Sequence, residues 1–194
     1  MTEEEILTNK VRITRLLMNS GKDNIEYLID DMDVRGFFTA PCSSKYHLAE
    51  AGGLAQHSLN VYHTLLALRD ALNAPINDDE VAIVALLHDL GKIGDHGKPL
   101  YVPNILVSGL QSSKNPYETN NELADEPHEI RSVIMAERYI YLSEKEETAI
   151  LHHNGPFGCL DSTYGKHNYD STEIAFLLHT ADMYCCRFTE KEEQ

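Results

Sequence analysis

VAIVALLHDLGK, residues 81–92, is the stretch that decides the fold. The run from Val81 to Leu87 is apolar without interruption, so no face is left for water and the segment reads as a central helix enclosed by others. It ends in His88 and Asp89, with Lys92 three residues beyond the aspartate and on its face. Burying an imidazole beside a carboxylate costs on the order of several kcal/mol unless each finds a partner. A divalent cation is the obvious candidate. Upstream, Asn77 as N-cap and Glu80 at N3 form a capping pattern after Pro75, while Gly91 and Gly94 fit the helix end.

Working outward toward the N-terminus, Leu54, His57, Val61, Leu65, Leu68 and Leu72 recur at helical spacing and predict a helix over 54–72. His57 falls on its buried stripe, where it reads either as a core histidine satisfied by a backbone carbonyl or as a ligand. His63 points elsewhere. Residues 3–18 and 23–33 carry the same periodicity, so 1–40 supply leading helices. Gly36 to Pro41 breaks the pattern, and CSSKYHLAEAGGL reads as a loop into the next helix.

In the other direction, 94–124 has little apolar periodicity and reads as a long loop insertion, either a binding loop or a solvated excursion. Lys98, Tyr101, Lys114 and Tyr117 are its residues suited to touching a phosphate or a base. Helix formation resumes near Asp125 and runs to about Tyr141, with Pro127 in the first turn and His128 behind it. A further helix begins at Ser143 with Glu146 at N3, and places Ala149, Ile150 and His153 on one side. A loop over 154–170, holding Tyr164, Gly165, Lys166 and His167, precedes a last helix from about Asp170 to Phe188. On that helix Asp182 shares the buried side of Ile174, Leu178, Ala181 and Cys185. The tail, 189–194, reads as frayed and solvated. No run reads as strand, so the expectation is an all-α single domain over 1–194.

Lysine plus arginine number 16 against 31 aspartates and glutamates, a formal charge of −15 that opposes unaided binding to a long nucleic acid. It does not oppose a small nucleotide held by metal ions. Cys42, Cys159, Cys185 and Cys186 show no CxxC spacing and read as reduced buried thiols. The start, MTEEEILTNK, lacks the order of a signal peptide and no apolar run approaches a membrane span, so a cytoplasmic protein is expected.

The inward-facing polar groups His57, His88, Asp89, His128, His153 and Asp182 come from five separate helices, with too few buried cations to pair them. Mixed nitrogen and oxygen donors of this kind suit zinc, manganese, iron, nickel or cobalt rather than calcium. Helical bundles build such sites from side chains on facing helices. The order His57, His88-Asp89, Asp182 resembles the HD-domain metal-dependent phosphohydrolase superfamily, and His128 and His153 resemble its two-metal branch. SSKYH, GGLAQHSLNVY, LLHDLGK, HEIRSVI, AILHHNGPF and HTADM are similar to blocks of small HD proteins from bacteria and phages.

The resemblance implies an HD-domain helical bundle binding one or two divalent transition metal ions (Mn, Fe, Ni, Co or Zn). It implies that His57, His88, Asp89 and Asp182 hold the first ion, and that Asp89 bridges to a second held by His128 and His153. The choice between His153 and its neighbour His152 stays open; the one not ligating faces substrate. The expected activity is hydrolysis of a phosphodiester or nucleotide phosphate by a metal-activated hydroxide, with Asp89, Lys92 and His152 catalytic. Lys45, His47, Lys98 and Tyr101 are the candidate substrate-binding residues. The partner expected is a small phosphorylated molecule. The alternatives are a non-catalytic nucleotide sensor and a 3′-end nuclease on short single strands.

Overall fold

The computed structural model describes residues 1–124, 126–158 and 168–191, so Asp125, Cys159, Tyr164, Gly165, Lys166 and His167 lie outside the described residues. Among the described residues the chain is all-α apart from one small hairpin. The helices described are α1 (Glu3–Met18), α2 (Ile25–Val34), α3 (Gly53–Leu72), α4 (Asp78–Leu87), α5 (His128–Glu137), α6 (Glu144–Leu151) and α7 (Glu173–Tyr184). Capping chemistry sets several of the starts. Thr2, Asn77 and Ser143 each form a capping box with a glutamate at N3, a device worth roughly 1 kcal/mol per cap.

Every residue of α4 from Val81 to Leu87 is at most 4% exposed, and the helix packs on α1, α3, α6 and α7. Burying each large aliphatic side chain stabilises the fold by about 1.5–3 kcal/mol. The rest of the core gathers around this axis, with Ile13 and Leu17 from α1, Leu54 and Leu65 from α3, and Ile174 and Leu178 from α7.

The structure departs from the sequence reading in three places. First, α4 stops at Leu87 rather than running to Lys92: His88 is its C-cap, Asp89 leaves helical geometry at φ −103°, ψ 11°, and Leu90–Ile93 form a tight 3₁₀ turn. The reason lies in α5, which captures this backbone. Ser132 Oγ accepts from the Gly91 N–H at 2.8 Å, and Arg131 Nη1 donates to the Gly91 carbonyl at 3.3 Å.

Second, the 94–124 insertion contains strands. β1 (Tyr101–Pro103) pairs antiparallel with β2 (Tyr117–Thr119), Val102 opposite Glu118. Strands of three residues are too short to show a period of two. The Tyr117 N–H donates to the Ser44 carbonyl at 3.1 Å and ties the hairpin to the loop before α3.

Third, the 189–194 tail is not solvated throughout. After α7 the chain makes a wide π-helical turn, Cys185–Thr189, which returns Glu190 to the interior at 7% exposure. At the other end of the insertion, α5 begins at His128 with Pro127 as its extended N-cap. Among the described residues no helix is long and apolar enough to cross a membrane.

Candidate metal centre

His57 from α3, His88 at the end of α4 and His153 beyond α6 meet on one side of α4, and each has its Nδ1 already engaged. His88 Nδ1 lies 2.9 Å from the Ala85 carbonyl and His153 Nδ1 lies 2.7 Å from the Ile150 carbonyl. A carbonyl only accepts, so both Nδ1 atoms carry a proton, and in the neutral rings both Nε2 atoms present a lone pair. His57 Nδ1 donates in the same way to Glu190, whose two carboxylate oxygens each lie 3.0 Å away. The Nε2 atoms of His57 and His88 then face each other at 3.2 Å.

Asp89 sits among these nitrogens. Its Oδ2 is 3.5 Å from His57 Nε2, 3.4 Å from His88 Nε2 and 2.6 Å from Lys92 Nζ. Its Oδ1 is 3.1 Å from His128 Nε2 and 3.4 Å from His153 Nε2. Despite that company, Asp89 Oδ1 is a buried oxygen without a hydrogen bond, and no other buried side-chain polar atom shares that condition among the described residues. Asp182 closes the set, with Oδ1 3.2 Å from His57 Nε2.

The donor set fits a transition metal. His57, His88 and Asp182 place donor atoms within 4.8 Å of one another, as do His88, Asp89 and His153. Aligned imidazole lone pairs and an unsatisfied carboxylate oxygen form a cluster of acceptors, and mixed nitrogen and oxygen donors suit Zn, Mn, Fe, Ni or Co. The hydrogen bonds behind the histidines are of the kind that orient metal ligands.

Charge in the cluster follows the same logic. Burial alone would raise the Asp89 carboxyl, but Lys92 and His88 hold it well below the usual range. Burial opposes charge on His57, yet the Cys42 thiol, Asp182 and Glu190 outweigh it, and the ring titrates well above its ordinary value. His88 is pushed down by burial and stays a neutral donor. An ionised carboxylate and a neutral imidazole are the protonation states a divalent ion requires of its ligands. The side chains of His57, His88, Asp89 and His153 are at most 1% exposed, whereas Lys92 is 12%, Asp182 13% and His128 23% exposed. The cluster therefore opens on the side of those three.

The structure thus brings together His57, His88, Asp89, His128, His153 and Asp182, with Lys92 against Asp89. Of the adjacent histidines, His153 is the one facing Asp89; His152 is the half-buried C-cap of α6. Tyr101 is half-buried beside Lys92, Asp89 and Cys42, and that burial raises its phenol. The His47 ring lies 5.3 Å from the His57 ring and tilted against it, and burial with its cationic neighbours pushes it down to about 4. Lys45 is exposed and lines a cavity with His47. Lys98 is not brought to the cluster; its Nζ donates to the Glu122 carbonyl at 2.8 Å, at the base of the hairpin.

Other histidines serve elsewhere. His179 Nδ1 donates to the His153 carbonyl at 2.8 Å and so steadies a donor's backbone, while His63 and His96 are exposed. Sequence reasoning missed Glu190, and also Glu129, whose carboxylate lies 3.4 Å from His128 Nδ1 and accepts from Asn154 at 2.6 Å. Position next to a donor histidine was a usable signal for Glu129. No signal marked Glu190 within an acidic tail.

The family model of the HD domain matches residues 54–182. That match covers more than half of the chain, and the chain belongs to the HD domain family, a superfamily of metal-dependent phosphohydrolases. No curated protein and no solved structure matches the chain.

Proposed function

We propose that this chain is a cytoplasmic hydrolase that cleaves a phosphodiester or nucleotide phosphate with the help of two transition metal ions. The observation that carries this reading is that the Nε2 atoms of His57, His88, His128 and His153 all lie within 3.5 Å of the Asp89 carboxylate, whose Oδ1 has no hydrogen bond. His57, His88, Asp89 and Asp182 would hold one ion, and Asp89, His128 and His153 the other. Such ions supply an activated water and neutralise charge on a phosphoryl group in the transition state. Free thiols at Cys42, Cys185 and Cys186 accord with a reducing compartment.

The remaining work would fall to four further residues. Lys92, its Nζ 2.6 Å from Asp89 Oδ2, places a positive charge where a non-bridging phosphate oxygen must lie. Tyr101, packed beside it, offers a phenolic proton to the same group. His152 is assigned the proton that the leaving oxygen takes up. His47, neutral at pH 7, donates to or accepts from a substrate hydroxyl. Hydrolysis joins one water oxygen to phosphorus, breaks the ester P–O bond, and returns a proton to the departing alcohol.

The test is metal content, together with turnover of phosphomonoesters, phosphodiesters and nucleotides in Mn²⁺, Ni²⁺ or Co²⁺. Diester or nucleotide turnover that is lost in Asp89→Ala supports the proposal. Tight nucleotide binding without turnover under every metal sinks it in favour of a sensor. One bound ion that is retained in full by His128→Ala refutes the second metal position.

A further inference from the structure

A cavity of about 570 Å³ lies against the cluster, and its walls run against the composition of the chain. In a protein of net charge −15, the cavity is lined by the cations Lys45, Arg187 and Lys191. None of the three has a carboxylate partner among the described residues, and Lys45 Nζ instead sits 5.2 Å over the Tyr46 ring. The one carboxylate in the lining, Glu190, is already taken by His57 Nδ1 and by Asn60 Nδ2 at 2.8 Å. Tyr46 and Phe188, residues 74% and 69% exposed, complete the walls.

The floor of this cavity is the outer wall of the donor cluster. Cys186 Sγ lies 3.3 Å from Asp182 Oδ1 and 3.5 Å from His47 Nε2. Asp182 is on the side where the cluster opens. A molecule whose reacting phosphorus rests at Asp89 therefore meets this cavity with its next unit.

Unpaired cations select a second anionic group, and exposed aromatic faces select a planar ring. A mononucleotide with a single phosphate leaves the cations unpaired. A long polyanion meets an acidic surface beyond the cavity. We propose that the cavity is a subsite for one nucleotide unit, its base on Tyr46 and Phe188 and its phosphate on Lys45, Arg187 and Lys191. The substrate class is then a short nucleotide diester with a further phosphate beside the scissile bond. This inference rests on the phosphohydrolase reading for turnover, but not for binding.

The probe is the 5′-phosphorylated diadenylate pApA, titrated calorimetrically into the full chain in EDTA, where no turnover occurs. Saturable binding that weakens about tenfold or more in an Arg187→Ala, Lys191→Ala double variant is expected. Both positions are exposed, so the melting temperature of the variant should match the parent. With Mn²⁺, the ratio of kcat/KM for pApA to that for bis(p-nitrophenyl) phosphate, which has neither base nor second phosphate, should fall by a similar factor. Absent binding, binding equal in the variant, or equal losses on both esters overturns the subsite. If the parent turns over neither ester, the phosphohydrolase proposal fails, and the EDTA titration still decides the subsite.

Discussion

Glu190→Gln isolates what an outer carboxylate does for the cluster. Both Glu190 oxygens lie 3.0 Å from His57 Nδ1, and Oε1 also accepts from Asn60 at 2.8 Å. Glutamine keeps the volume and an acceptor but removes the charge that makes His57 a better donor through Nε2. Loss of such a partner weakens metal binding by about 10–100-fold. At free metal about a thousandfold above Kd, a bound ion stabilises the parent by about 4.1 kcal/mol, and the variant keeps about 1.4–2.7 kcal/mol. A chain of this size gains about 2–4 °C in Tm per kcal/mol. The metal-induced rise should therefore drop from about 8–16 °C in the parent to about 3–11 °C. Differential scanning calorimetry with and without Mn²⁺, Ni²⁺, Co²⁺ or Zn²⁺ reads this directly. Identical rises in parent and variant, at matched metal concentrations spanning Kd, would refute the role given to Glu190.

Other substitutions probe the scaffold. Gly91→Ala would drive a methyl group into the His128 carbonyl and the Ser132 backbone nitrogen, so α5 must shift; urea unfolding should show a loss of about 1–3 kcal/mol, with weaker metal binding. Asp95 bridges Arg35 at 2.8 Å and Arg138 at 2.7 Å, and Asp95→Asn should cost about 1–2 kcal/mol at pH 7. The Arg138 hydrogen bond, seconded by Arg35 and the His96 amide, holds the Asp95 carboxyl well below its ordinary value. Its contribution is thus complete above the unfolded pKa of about 3.9 and fades as pH falls below it. Urea midpoints of parent and variant should converge in acid; a gap that persists unchanged at pH 2 would contradict the assignment.

The helices were legible because their signals are local. Thr2 with Glu5, Asn77 with Glu80, and Ser143 with Glu146 announce three starts, and unbroken apolar residues from Val81 to Leu87 announce the centre. The polar groups His57, His88, Asp89, His128, His153 and Asp182 were legible as inward-facing on five helices, and the structure brings them together. What escaped was set by contacts between distant segments. The end of α4 at Leu87 depends on Ser132 and Arg131, which lie on another helix. The hairpin strands are too short to carry a pattern. Glu190 reads as one more acid in a charged tail, and only the wide turn at Cys185–Thr189 aims it at His57.

That turn also bears on the order in which the molecule is made. His57 and Glu190 are 133 residues apart in sequence, and α3, which carries His57, leaves the ribosome long before its partner exists. The leading helices can form locally and early. The hydrogen bond that orients His57 therefore forms only after residue 190 has been synthesised, by which time every proposed metal ligand is already part of the chain.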